Sequence, residues 1–112
     1  MLAQRLGLSI NSTRPLGKWS PDDETSLEAW YQNQVGITLN GSDVSAWADS
    51  STNGLNMVQA TASEQPAYSG GILTFVSAND EHLQTTGQIS LSGDFTIGII
   101  FKPSISAPGT LL

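Results

Sequence analysis

Val35, Ile37 and Leu39 alternate with Gly36, Thr38 and Asn40, the period of a strand with one apolar face. Asn40-Gly41 follows, a pair that tolerates positive φ and so predicts a turn into a second short strand over Val44 to Trp47. Further along, beyond Leu55 to Ala60, a new strand is predicted to begin at Ile72, and Ile72 to Val76 is a nearly continuous apolar run. Phe95, Ile97, Ile99 and Phe101 alternate with Thr96, Gly98, Ile100 and Lys102. The last two stretches are the strongest core candidates, because a strand buried on one or both faces needs this pattern.

Between these runs lie polar breaks. Asp49-Ser50-Ser51-Thr52-Asn53-Gly54 is a loop in which Asp49 and Asn53 have the side chains to bond their own backbone. Gln65 to Gly71 reads as another break, since Pro66 donates nothing to a ladder and Gly70-Gly71 permits a sharp reversal. Ser20-Pro21-Asp22-Asp23 has the form of a helix start, with Ser as N-cap, Pro in the first turn and acids behind it. Near the front, Leu6, Leu8 and Ile10 alternate with Gly7, Ser9 and Asn11, a one-sided strand period suited to joining a sheet edge. Thr110-Leu111-Leu112 reads like the start of a further strand.

Composition reinforces the β reading. The chain has 112 residues, enough for one small domain, with 11 Gly, abundant Ser and Thr, and only 12% charged residues. There is no Cys, which excludes disulfides and Cys-based zinc sites. Arg5 and Gly7 interrupt what would have to be the apolar run of a secretory signal, and no stretch has the length to span a membrane as a helix. The net charge of −6 argues against nucleic acid as a partner. Its distribution says more: residues 1–20 hold Arg5, Arg14 and Lys18 with no acid, whereas all ten acids and Lys102 follow. A basic leader precedes an acidic body.

The stretch Gly41 to Tyr68, GSDVSAWADSSTNGLNMVQATASEQPAY, carries a distinctive spacing of Trp, Asp, Ser, Asn-Gly, Gln-Ala-Thr and Gln-Pro. Together with Leu27-Glu28-Ala29-Trp30-Tyr31, Leu73-Thr74-Phe75, Asp80-Glu81-His82-Leu83 and Asp94-Phe95-Thr96-Ile97 leading to Phe101-Lys102-Pro103, it resembles the front half of concanavalin A-like, laminin-G-like jelly-roll domains of the kind found in bacteriophage virion proteins. The resemblance implies an all-β, antiparallel jelly-roll β-sandwich, front half only, over residues 26–112, with an extended basic arm over residues 1–25 that has no counterpart in the family. It also implies a first sandwich strand at Leu27 to Tyr31, where local propensity alone leaves helix and strand open. One departure is Phe75-Val76-Ser77, where the family usually has Phe-Asp-Gly or Phe-Asn-Gly, so a polar turn group is missing.

Catalytic chemistry is thinly represented. The paired-acid motif of related glucanases, Glu-x-Asp-x-x-Glu, does not occur, and Asp80 and Glu81 are adjacent, which would send them to opposite faces of a strand. His82 is the sole histidine, and there is neither a nucleophile elbow nor a phosphate-binding loop. No catalytic residue and no cofactor is therefore expected. Calcium is the one metal to weigh, since Asp43, Asp49, Asn53, Asn56, Asn79 and Asp80 supply hard oxygen ligands, although Asx turns account for the same residues without it.

Two functions follow as expectations. In the first, the chain is a non-enzymatic virion structural protein, a fibre, appendage or decoration subunit present in multiple copies, and docks on other virion proteins through Arg5, Leu6, Leu8, Ile10, Arg14 and Lys18. In the second it is a carbohydrate-binding module of a longer cell-surface or secreted protein. Trp19, Tyr31 and Tyr68 are then the candidate sugar-stacking rings for a host surface glycan, Trp30 and Trp47 falling at positions that look structural.

Overall fold

The computed structural model describes residues 17–103. Arg5, Leu6, Leu8, Ile10 and Arg14, and the strand start expected at Thr110-Leu111-Leu112, lie outside the described residues; Lys18 lies inside them and is exposed.

The described residues form an antiparallel all-β fold with three short 3₁₀ turns and no longer helix. Strands β1 (Ile37–Asn40) and β2 (Asp43–Trp47) make a hairpin closed by Gly41-Ser42. Only the first of these loop residues has positive φ, +69° at Gly41, which is what a type II′ turn needs there. The ladder slips between Thr38 and Leu39, whose partners are Ala46 and Val44, leaving Ser45 unpaired on that side. Its hydroxyl donates to the Thr38 carbonyl at 3.2 Å, so the bulge is held by its own side chain.

The opposite edge of β2 is shared. Strand β3 (Met57–Val58) pairs with Ala46 and Trp47, while β4 (Ala67–Ser69) pairs with Asp43, so β3 and β4 lie end to end along one neighbour. The 3₁₀ turn Ala62–Glu64 lies in the chain between them. Outside that run, β5 (Ile72–Thr74) pairs with β4 and β6 (Gln84–Thr85) pairs with β3. The loop from β4 to β5 is Gly70-Gly71 with φ of +58° and +81°, the double positive φ of a type I′ hairpin.

Ile37, Trp47, Met57 and Thr85 form one row across β1, β2, β3 and β6, and side chains in a row share a face. Residues 30–35 cover this row at Trp47, whose indole N–H donates to the carbonyls of Gln32 at 3.0 Å and Val35 at 3.1 Å. Where this segment meets β2, the Ala48 N–H donates to the Gly36 carbonyl at 2.8 Å. A Cβ added to Gly36 would stand 2.7 Å from the Ala48 Cβ, and φ there is +69°. Gly36→Ala is therefore expected to destabilise the protein by about 2 kcal/mol. Urea unfolding of the two proteins measures it, and an unchanged midpoint would mean that the close approach is not retained in solution.

Three sequence expectations are corrected. Leu27 to Tyr31 is not a strand of the sheet; its backbone is bound mostly by side chains, with the Ser50 N–H on the Trp30 carbonyl, and not by a ladder. Gln65 to Gly71 is not wholly a break, because β4 lies within it. The lost N–H of Pro66 matters little there, since its carbonyl still accepts from Val44 at 2.8 Å. Finally, Phe95, Ile97, Ile99 and Phe101 are not core but 59–74% exposed, in a stretch that joins no strand pair among the described residues. Ile72, Phe75 and Val76 of the other expected core run are exposed as well. Val44 and Pro66 are the fully buried side chains at the sheet centre.

Candidate functional site

The densest polar constellation is centred on Asp49, directly after β2. Its Oδ1 accepts from the N–H groups of Trp30 and Ser51, each at 2.8 Å. Its Oδ2 accepts from the Ser51 hydroxyl at 2.6 Å and the Leu55 N–H at 3.0 Å. The bond to Ser51 is the Asx turn expected from the sequence; those to Trp30 and Leu55 reach beyond it. Partial burial pushes the Asp49 carboxyl up, but the Ser51 hydroxyl and the three backbone N–H groups outweigh it and hold the group below the usual carboxylate range.

Neighbouring residues extend this clasp. Asn56 Oδ1 accepts from the Asp49 N–H at 3.0 Å, and the Asn53 amide donates to the carbonyls of Leu27 at 3.0 Å and Glu28 at 2.9 Å. Asn53 thus bonds a remote segment, not its own backbone as the sequence suggested. The Ser50 N–H returns a bond to the Trp30 carbonyl at 2.7 Å. Tyr31 closes the assembly, with its hydroxyl donating to the Leu55 carbonyl and its ring tilted 59° against Trp47 at a centroid distance of 5.7 Å. That separation suits a favourable aromatic pair. Burial first, and the charge of Asp49 second, raise the Tyr31 phenol above its ordinary value.

A second knot joins β3, the Ala62–Glu64 turn and the approach to β6. Buried Gln65 donates to the Gln59 carbonyl at 2.7 Å and accepts from the Asn40 amide at 3.0 Å. Gln59, also buried, accepts from the Thr61 N–H at 2.9 Å and sets its amide nitrogen 3.0 Å from His82 Nε2 and 3.2 Å from Glu64 Oε2. His82 Nδ1 lies 2.7 Å from the Asp80 carbonyl. The Gln59 amide nitrogen also stands 3.3 Å from His82 Nδ1, nearly equidistant from the two ring nitrogens. Gln59 and Gln65 both lie within the Gly41 to Tyr68 signature, where no candidate role attaches to them. Their signal was the pairing of two glutamines with a Pro next to the second.

The remaining predicted residues are dispersed. Trp19 is 69% exposed and stands apart from half-buried Tyr31, which is engaged by Trp47 and Leu55, and from half-buried Tyr68 on β4. No contact brings the three rings onto one platform among the described residues. Of the calcium candidates, Asp49 has both oxygens doubly occupied by donors, and Asn56 Oδ1 is occupied by Asp49. Asp43 Oδ1 accepts from Ser42 at 3.3 Å. Asn79 donates to Glu81 at 2.9 Å, and Asp80 takes a left-handed φ of +52° at the end of the 3₁₀ turn Ser77–Asn79. Among the described residues, no group of three or more His, Asp or Glu side chains gathers in metal-binding reach. Glu81 also accepts from the Val76 N–H at 2.7 Å, tying its loop.

A hollow of about 110 Å³ opens beside the clasp, between Asp22 and Glu24 on one side and Ser50, Ser51 and Thr52 on the other. Among the described residues no helix is long and apolar enough to cross a membrane. Neither family models, curated proteins nor solved structures contain a match to this chain.

Proposed function

We propose that the chain is a non-enzymatic structural subunit of a bacteriophage virion, of the fibre, appendage or decoration kind. In this reading the antiparallel sheet is the front of a jelly-roll β-sandwich of the concanavalin A-like, laminin-G-like type. Residues 1–25 are the arm that anchors it to other virion proteins, and the protein resides in the particle in multiple copies.

The observation that carries the reading is the use made of Asp49, the most heavily hydrogen-bonded carboxylate of the signature. All its acceptor capacity goes to backbone and Ser51, which builds a rigid scaffold and leaves little for substrate or metal. The test is deletion of residues 1–20 followed by quantitation of the protein in purified particles. Incorporation is expected to fall to background while the truncated protein stays soluble and folded; unchanged incorporation would overturn the anchor.

The exposure of Trp19 favours one further reading, a carbohydrate-binding module, because an exposed indole is a ready stacking surface. A glycan array discriminates. Binding of a defined saccharide that Trp19→Ala or Tyr68→Ala abolishes would replace the scaffold reading, whereas no bound saccharide supports it.

A further inference from the structure

Residues 94–102 read Asp-Phe-Thr-Ile-Gly-Ile-Ile-Phe-Lys. About Gly98 this sequence is close to self-complementary. If two copies of the segment run antiparallel with the Gly98 residues opposite each other, Phe95 meets Phe101, Ile97 meets Ile99, Thr96 meets Ile100, and Asp94 meets Lys102. The two-fold axis makes each of these contacts twice. Aromatic pairs, β-branched pairs and opposite charges are the cross-strand partners that stabilise antiparallel ladders. Moving the alignment by two residues, the smallest step that keeps each side chain on its face, breaks the Phe95–Phe101 and Asp94–Lys102 matches together.

The structure leaves this segment available. Phe95, Ile97, Ile99, Ile100 and Phe101 are exposed and the segment pairs with no strand among the described residues; once extended in a ladder, Phe95, Ile97, Ile99 and Phe101 would share one face. An exposed apolar strand with open backbone donors and acceptors is a template for strand addition. Charge complementarity at both ends selects a second copy of this chain as the partner. Nothing lies within 4 Å of where a Cβ on Gly98 would be, so the axis has room for a small side chain from each copy.

We infer that residues 94–102 form an isologous homodimer contact, a two-stranded antiparallel ladder centred on Gly98. Each copy offers the same surface to the other, so the contact closes at two copies and does not propagate into a filament. The inference stands independently of any particle, since it rests on the exposed segment and its sequence alone.

The absence of cysteine gives a clean test on the full chain. Directly opposed residues of an antiparallel ladder have Cα atoms about 4.5–5.5 Å apart, within disulfide range. Gly98→Cys is expected to form a disulfide-linked dimer under mild oxidation, and Ser90→Cys, well away from the axis, is not. Sedimentation equilibrium supplies the second arm. Asp94→Lys and Lys102→Asp should each weaken dimerisation about tenfold, and the double exchange should restore it, because the two-fold counts every charge contact twice. Both charges sit on exposed side chains, and circular dichroism confirms that the variants are folded. A monomer throughout the micromolar range, cross-linking through Ser90→Cys in place of Gly98→Cys, or a double exchange no stronger than the singles would each overturn the inference.

Discussion

Replacing Asp49 with alanine is expected to destabilise the protein by about 3 kcal/mol, a large part of the stability of a small domain. The change removes one carboxylate and takes their acceptor from the N–H groups of Trp30 and Leu55, which lie in different segments. Asp49→Asn should cost less, about 2 kcal/mol, since one oxygen remains to accept while the amide nitrogen faces donors. Chemical denaturation monitored by tryptophan fluorescence measures both. A loss below about 1 kcal/mol for alanine would mean that water replaces the carboxylate at little cost.

The same residue sets a pH dependence. The folded carboxyl titrates below its ordinary value of 3.8, so its contribution is complete above that value and is lost as pH falls through the folded-state value. Stability of the wild-type protein should decline on acidification below about pH 4, and the Asp49→Asn variant should lose less over the same interval. An equal decline in both would assign the acid sensitivity to other carboxylates.

Trp47→Ala is expected to cost about 3 kcal/mol, towards the lower end for a large aromatic because the indole is only half-buried. The loss has two sources that substitution separates. Trp47→Phe keeps most of the apolar surface facing Tyr31, Ile37 and Met57 but gives up the indole N–H shared by Gln32 and Val35, and should cost about 1 kcal/mol. Thermal unfolding ranks the three proteins. If phenylalanine proves as damaging as alanine, the hydrogen bonds to residues 32–35 outweigh the packing of the ring.

These predictions concern a part of the fold that local sequence describes incompletely. The hairpin of β1 and β2 is readable because apolar alternation, a turn with Gly and a second apolar run stand next to one another within a few residues. The Gly70-Gly71 reversal is readable for the same reason. Leu27 to Tyr31 defeats such reading, because its partners are the side chains of Asp49, Ser51 and Asn53 and the backbone N–H of Ser50, more than fifteen positions away and without any periodic trace. Phe95 to Phe101 fails differently. Alternation marks which residues would share a face, yet it carries no information on whether the stretch joins a ladder or on what covers it. At the candidate site the Asx turn of Asp49 was legible, while the reach of the same carboxylate to Trp30 was not.

The end-to-end arrangement of β3 and β4 has a consequence for how this sheet avoids mispairing. Short strands with few partners are prone to slide along a neighbour, and β3 and β4 together offer β2 only a handful of bridges. Pro66 sits at the junction, fully buried, accepting from Val44 but lacking the N–H that would return the bond. Shifting β4 by two residues along β2 would carry that missing donor into a position now filled by the Tyr68 N–H, which bonds the Ser42 carbonyl at 2.9 Å, and would leave Ser42 without its partner. A residue that looks like a strand breaker thereby works as a detent: it lets the chain click into one alignment and makes the neighbouring one energetically empty.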